Sequence, residues 1–423
     1  MKWFFSICLT VIFLHASAQS DSTYQLLIAK ADLFHLQKDH KKAIPLYESA
    51  FLIHKPDELA AYKAAGMFAL NGDYTSAFRY LLISISSGWT ETDWLIADPY
   101  FSSLKKADPL KWKIIVEQAR QKERLLEKNI ALPAIRKDIN LMTLNDQKLR
   151  YRRVQVENDS VLRIIDGQIN QSDLNNLNRA KMIVTKYGWL KKSDVGKDGQ
   201  NNLWLIVQHA DQDVLFQQKA LLAMKQLLGT NEISLENYAF LYDRVQCNLN
   251  YKQLYGTQVV WKQNGEASAF RPILEENNVD LRRKKLRLQP LYIYAQTYGF
   301  TYQKPALEQS KLRDYEYRAH VQVLLSNARR CYLNREFEKT YDYFNDASTF
   351  LGGMDNGENF EAAVIFSKIA AMDSDLKYKN IALDFLGLLS LRNGLTRAQL
   401  LQEPSFKILY HEHRWLDLNK QLR

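Results

Sequence analysis

A histidine, several acids and an arginine near the middle of this 423-residue chain have the types and spacings of a proton-transfer site. His209 is the only histidine between residues 131 and 300, two positions after the apolar run Leu203-Trp204-Leu205-Ile206-Val207. A buried imidazole must find partners or lose its hydration uncompensated. Asp213 lies one helical turn further on, and Asp211 comes within reach if the helix breaks at Ala210. Either carboxylate would fix the tautomer and raise the imidazole pKa toward neutrality, as a general base requires. Asp243 would supply a second acid, and Arg244 a planar fork for a carboxylate or phosphate. Tyr255 and Gln258 would add neutral substrate contacts, and Arg282 and Arg283 are separate candidates to bind an anionic ligand. The reaction class that fits is metal-independent hydrolysis.

Each of these residues also has a plain structural role open to it. A histidine at a helix end packs, Asp211 caps the next helix, Asp243 and Arg244 form an ion pair, and Tyr255-Gly256 makes a turn. Other chemistries lack their residues. There is no His-Glu-x-x-His helix, no Cys-x-x-Cys pair, no glycine-rich phosphate loop and no Gly-x-Ser-x-Gly elbow. His411 and His413, two apart, would point to different sides of a helix. Cys247 stands beside Tyr242 and Val245 on a packing helix, which disfavours a Cys247–His209 dyad. No metal and no cofactor is expected.

Charge singles out the same region. Residues 131–300 carry 24 basic and 17 acidic side chains, net +7, whereas the flanks are nearly neutral within a total of +10. The excess is densest at Arg282-Arg283-Lys284-Lys285 with Arg287, and it points to an anionic ligand or to a solvated helix face. Nucleic acid is not expected, since no recognition motif occurs. With only 16 Gly and 9 Pro, the chain is short of the turns a β-sandwich needs, so the expected fold is predominantly α.

The flanks read as helical repeats. Ala31, Phe34, Asp39 and Ala43 recur 34 residues later as Ala65, Phe68, Asp73 and Ala77. Small residues at the crossings and large ones in the seam suit paired helices, and this spacing resembles tetratricopeptide repeats. Gly88-Trp89 through Asp98-Pro99-Tyr100-Phe101 to Leu104 and Trp112 resembles the unit that closes such arrays. The same order returns as Gly394-Leu395, Glu403-Pro404-Ser405-Phe406, Leu409 and Trp415. Amphipathic pairs precede it, Val321–Leu333 with Phe337–Phe350 and Phe360–Met372 with Ile381–Leu391. The expected organisation is an array over 22–130, a central domain over 138–300 and a second array over 305–423.

In the centre, Asp138–Val156, Leu174–Tyr187, Asn201–His209, Val214–Leu228 and Leu235–Leu249 read as helices, and Asp194–Gly199 as a loop. Asn264-Gly265 predicts a hairpin between Thr257–Trp261 and Ala267–Phe270, and Val279–Leu288 is the basic helix. Val195-Gly196, Gln208 to Asp213, Phe216-Gln217, Asp243-Arg244-Val245, Tyr255 to Gln258 and Arg282-Arg283 together resemble domain-of-unknown-function family 6624. The resemblance implies one structural unit and no activity. A glycine expected before Leu288 is Arg287 here.

Lys2, the apolar Trp3–Leu14 and Ala16-Ser17-Ala18 read as a signal peptide over 1–18, so the mature chain is expected in the periplasm or cell envelope, or secreted, with no transmembrane segment. Cys247 and Cys331 are expected to be free and buried. The leading expectation is an exported binding and scaffold protein, holding protein or peptide partners on its repeats and an anionic ligand (acidic peptide, cell-wall or surface glycan) at its basic centre. The alternatives are the hydrolase built on His209 and a rigid spacer.

Overall fold

The computed structural model describes residues 21–373 and 375–422; the signal-peptide expectation lies outside the described residues. The chain folds as a succession of helices with one two-stranded antiparallel sheet. Residues 21–36 form α1, followed by α2 (His40–Ile53), α3 (Glu58–Leu70) and α4 (Tyr74–Ser87). The two tight turns among them are built alike. Lys38 (φ 56°) and Gly72 (φ 80°) take the left-handed conformation that ends a helix. The aspartate that follows caps the next one, Asp39 accepting from the Lys42 N–H at 3.2 Å and Asp73 from Ser76 at 3.0 Å. Ala31, Ala43, Ala65 and Ala77 are all fully buried, which lets the helices approach closely.

After α5 (Thr92–Ala97), a single 3₁₀ turn at Pro99–Phe101 leads into α6 (Ser102–Ala107) and α7 (Pro109–Glu127). Phe101 and Leu104 are fully buried, with Trp112 packed 6.0 Å from the Phe101 ring. The centre holds α8 (Pro133–Arg153), α9 (Asp159–Tyr187), α10 (Lys192–Gln208), α11 (Val214–Lys225) and α12 (Leu235–Asn248). A hairpin of β1 (Val259–Trp261) and β2 (Ala267–Phe270) follows, then α13 (Val279–Lys285) and α14 (Leu291–Gln296). The Asn264-Gly265 turn is present, with Gly265 at φ 82°.

Two readings of the centre change. Helix α9 begins fifteen residues earlier than the amphipathic stretch, because Asn158 caps it by accepting from Ser160 and Val161 N–H. The expected loop at Asp194–Gly199 is the start of α10, interrupted only at Gly196 (φ 75°, ψ 172°). A Cβ there would sit 2.7 Å from Asp198 Oδ1, so glycine is required by both conformation and space.

The C-terminal part comprises α15 (Leu307–Leu333), α16 (Phe337–Thr349), α17 (Asn356–Met372), α18 (Leu376–Leu391), α19 (Arg397–Gln402) and α20 (His413–Gln421). A 3₁₀ stretch at Pro404–Leu409 repeats the earlier arrangement: Phe406 and Leu409 are fully buried, and Trp415 lies 5.9 Å from Phe406. Glu403 accepts from Ser405 N–H as Asp98 accepts from Tyr100. The apolar core divides into an N-terminal cluster from Ala31 to Ala119, a central one from Ile139 to Leu249, a small one around Val279 and Leu291, and a C-terminal one from Val321 to Leu418. Among the described residues no helix is long and apolar enough to cross a membrane. Cys247 and Cys331 are free and buried, and burial pushes the Cys247 thiol up to about 11.

Candidate functional site

The residues singled out from the sequence fall into two groups. His209 ends α10, exposed, with no hydrogen bond from its side chain, beside a hollow of about 30 Å³ that Asp146, Arg150 and Asp173 also line. That space holds little more than a water. Crowding by the surrounding chain, then Arg244 and Arg150, hold the imidazole below its ordinary pKa, opposite to what a general base near neutrality needs. Asp211 lies in the turn after α10 and takes a two-pronged bond from Arg244, with Nε 2.8 Å away. Asn248 and Gln217 also donate to it, at 2.9 and 3.2 Å. Burial pushes Asp211 up, but these bonds outweigh it and hold the carboxyl below its usual range. The expected cap role belongs to Asp213 instead, which accepts from Phe216 N–H at 3.0 Å and pairs with Lys181 at 2.5 Å. Because the helix stops at Gln208, Asp213 is not carried round to face His209.

Asp243 belongs to the second group and is a latch rather than an acid. It is fully buried and accepts from the backbone of Leu254 (2.8 Å), Tyr255 (3.0 Å) and Thr257 (2.9 Å) and from the Thr257 hydroxyl (3.0 Å). Burial still raises its pKa above the carboxylate norm. The loop so held carries Tyr255, whose ring packs on Tyr242 at 5.6 Å, and Gln258, whose amide donates to the Thr257 hydroxyl at 3.1 Å. Arg282 and Arg283 turn inward onto the same loop. Arg282 Nε donates to Leu254 O (2.8 Å); Arg283 donates to Tyr255 O and Gln289 O (both 2.7 Å) and lies over Tyr294. Both guanidinium groups are spent on carbonyls, so the expected anion-binding pair is a set of backbone braces. Only Lys284, Lys285 and Arg287 of that run are exposed. Asp211 and Arg244 therefore meet, with His209 near enough to feel both charges but not bonded to either, whereas Asp243, Tyr255, Gln258, Arg282 and Arg283 build a packed loop.

A larger hollow lies elsewhere. A cleft of about 650 Å³ opens between α1, α3 and the Gly88–Phe101 segment on one side and α8 with α10 on the other. Its aromatic lining includes Tyr62, Trp89, Trp94, Tyr100 and Tyr151. One buried network joins the two sides. Arg136, wholly inaccessible to solvent, donates to Asp198 from Nε (3.0 Å) and a terminal nitrogen (2.5 Å), to Thr90 O (2.9 Å), and to Glu123 (3.0 Å) and Glu127 (3.2 Å). The Thr90 hydroxyl and the Asn140 amide also reach Asp198, each at 3.2 Å. Asn202 then donates to Asn140 (3.0 Å) and to Glu91 (2.8 Å), and Lys197 pairs with Glu58. The break at Gly196 makes room for the Asp198 carboxylate in this network.

Residues 133–303 match the family of unknown function DUF6624. No curated protein and no solved structure matches the chain. The matched segment thus supplies one wall of the cleft, through Lys148, Tyr151, Lys197, Asp198 and Asn202, with Arg136 and Asn140 bonded to Asp198 behind it, and helices outside it supply the other.

The electrostatics of the cleft are unusual in one carboxyl. Burial, then the neighbouring Asp198 charge, raises Glu91 to about 7 against the Asn202 bond and Arg136, so it is a half-protonated acid near neutral pH. Burial also raises Asp98, which accepts from the Tyr62 hydroxyl at 2.8 Å. His35, stacked on Tyr100 at 5.1 Å, is lowered to about 4 by burial and Lys63, and its Nδ1 is buried without a hydrogen-bond partner. Lys38 and Lys148 line the cleft as exposed ammonium groups with no carboxylate partner among the described residues, Lys38 lying 5.7 Å from the Tyr151 ring. Among the described residues no group of three or more His, Cys, Asp or Glu side chains is placed to hold a metal ion. Sequence reasoning passed over Glu91 and Asp198 because their meeting depends on two elements a hundred residues apart. The one local signal was Gly196 two residues before Asp198.

Proposed function

We propose that the protein is an exported binding and scaffold protein whose ligand is anionic and sits in the cleft between the N-terminal helices and the family segment. The observation that carries this is the 650 Å³ hollow with aromatic walls and two ammonium groups that have no carboxylate partner among the described residues, a size typical of small-molecule sites. The ligand seat thereby moves from the basic helix to the junction, since Arg282 and Arg283 are already bonded to carbonyls. The flanking helices serve as scaffold: the matching turns at Lys38-Asp39 and Gly72-Asp73 and the paired 3₁₀ segments support two tetratricopeptide-like arrays, each closed by a capping unit.

The test is retention of the protein on immobilised anionic polymers at low and high salt. Replacing Lys38 and Lys148 together by alanine should abolish the salt-sensitive part, while replacing Lys284 and Lys285 should leave it. Loss in the second variant and not the first would return the site to the basic helix.

One observation favours a second reading, a metal-independent hydrolase. Glu91, titrating at about 7, is suited to give a proton to a leaving group, a task His209 is not placed for. Turnover of any glycoside or ester that disappears in Glu91→Gln and survives in His209→Ala would establish it.

A further inference from the structure

We infer that the ligand of the cleft is an acidic saccharide, its rings lying against the aromatic wall and its anionic group at the Lys38–Lys148 rim. This rests on the reading of the cleft as an anion-binding site and narrows it to one class of ligand.

Three features of the lining select a sugar. The first is a pair of polar groups with capacity to spare. Glu91 uses one oxygen on Asn202, and the Asn201 carbonyl accepts from Asn237, which leaves the Asn201 N–H groups without a partner among the described residues. Hydroxyls donate and accept at once, so a mixed row of donors and acceptors suits them. The second is the form of the apolar surface, which consists largely of rings. Tyr151 is 37% exposed, and Trp94 and Tyr100 are half-buried beside it in the cleft lining. Flat apolar bodies with polar tips fit the C–H faces of a pyranose while leaving its edges free to hydrogen-bond.

The third feature tells against an acidic peptide. Two common peptide modes are strand addition at a sheet edge and a helix laid in a continuous aliphatic groove. The cleft is lined by helices and their turns, while the β1–β2 hairpin contributes none of its residues to it. Sign of charge then separates acidic from neutral sugars. Lys197 is paired with Glu58 and Lys63 with Asp32, whereas Lys38 and Lys148 have no carboxylate partner among the described residues.

The experiment titrates the full chain with carboxylated di- to tetrasaccharides, with and without N-acetyl groups, with the carboxyl-reduced form of each, and with pentaglutamate, following tryptophan fluorescence and heat. At least one carboxylated saccharide should bind, its reduced form about tenfold or more weaker. Lys38→Ala with Lys148→Ala should erase that difference. Tyr151→Ala, which removes an exposed ring, should weaken both forms about tenfold, and Tyr151→Phe should restore them. Pentaglutamate bound as tightly as any saccharide, with Tyr151→Ala silent, would overturn the saccharide inference and leave the anionic reading standing. No binding by any of these probes would overturn both.

Discussion

Replacing Glu91 by glutamine should stabilise the protein at alkaline pH and do nothing at acid pH. The side chain titrates at about 7 in the fold against 4.5 when free. Below about pH 4.5 the carboxyl is neutral folded and unfolded, and its ionisation has no effect on stability. Between these values the unfolded chain releases the proton while the fold retains it, so stability falls as pH rises; above about 7 the loss is complete. At about 1.4 kcal/mol per decade of proton affinity, the full loss is about 3 kcal/mol. Glutamine keeps the Asn202 bond, which ends on Oε1, and removes the titration. Urea unfolding followed by tryptophan fluorescence (Trp89 and Trp94 stand in the same cleft) should give matching midpoints for variant and wild type near pH 4. The gap should widen in favour of the variant to about 3 kcal/mol by pH 8. Subtracting the two curves cancels the titrating groups that do not interact with residue 91. A gap that stays constant over this range, or that favours the wild type at pH 8, would refute the idea that burial and Asp198 disfavour the ionised form.

Other outcomes follow from the same geometry. Arg136→Ala removes the one cation shared by Asp198, Glu123 and Glu127 and should cost about 3–5 kcal/mol by denaturant titration; it should also speed proteolysis in the Ala131–Leu132 turn. Arg283→Ala, which abandons the Tyr255 and Gln289 carbonyls, should cost about 2–3 kcal/mol, whereas Lys284→Ala and Lys285→Ala should each stay within about 0.5 kcal/mol of wild type in the same titration. Arg287→Gly should raise the thermal midpoint slightly, with a gain of about 0.5–1 kcal/mol, because residue 287 sits at φ 58°.

Arg287 also shows what was legible in the chain. The glycine expected there marks a left-handed turn, and the backbone keeps that turn although the residue is arginine: Leu288 N–H bonds back to Arg283 O at 3.0 Å. Local rules were readable in the same way. Asp39 and Asp73 cap their helices, Ser234 accepts from Asn237 N–H at 3.2 Å, Gly188 ends α9, and Asn264-Gly265 turns the hairpin. What was not legible is where charge goes when side chains can curl back on their own chain. A four-residue basic run has the same appearance whether its guanidinium groups face water or carbonyls, and here Arg282 and Arg283 face carbonyls. His209 was misjudged for a related reason, since one helix end at Gln208 decides which carboxylate it can meet. The cleft was invisible because its walls come from separate stretches, and nothing in residues 88–101 announces the approach of Asp198.

Arg392, at the end of α18, donates to Leu249 O at 2.7 Å and lies over the Tyr251 ring, as Arg136 reaches out to Thr90 and Glu123 at the opposite side. The matched segment is thus completed at two places, near its start and in its interior, by atoms it does not encode. Grafted alone into another protein, residues 133–303 would keep Asp198 for Arg136 but lose the outlying acids, and Leu249 would lose its guanidinium. Shuffling of this segment between genes therefore carries a tariff, and its flanking helices are expected to travel with it as one heritable block.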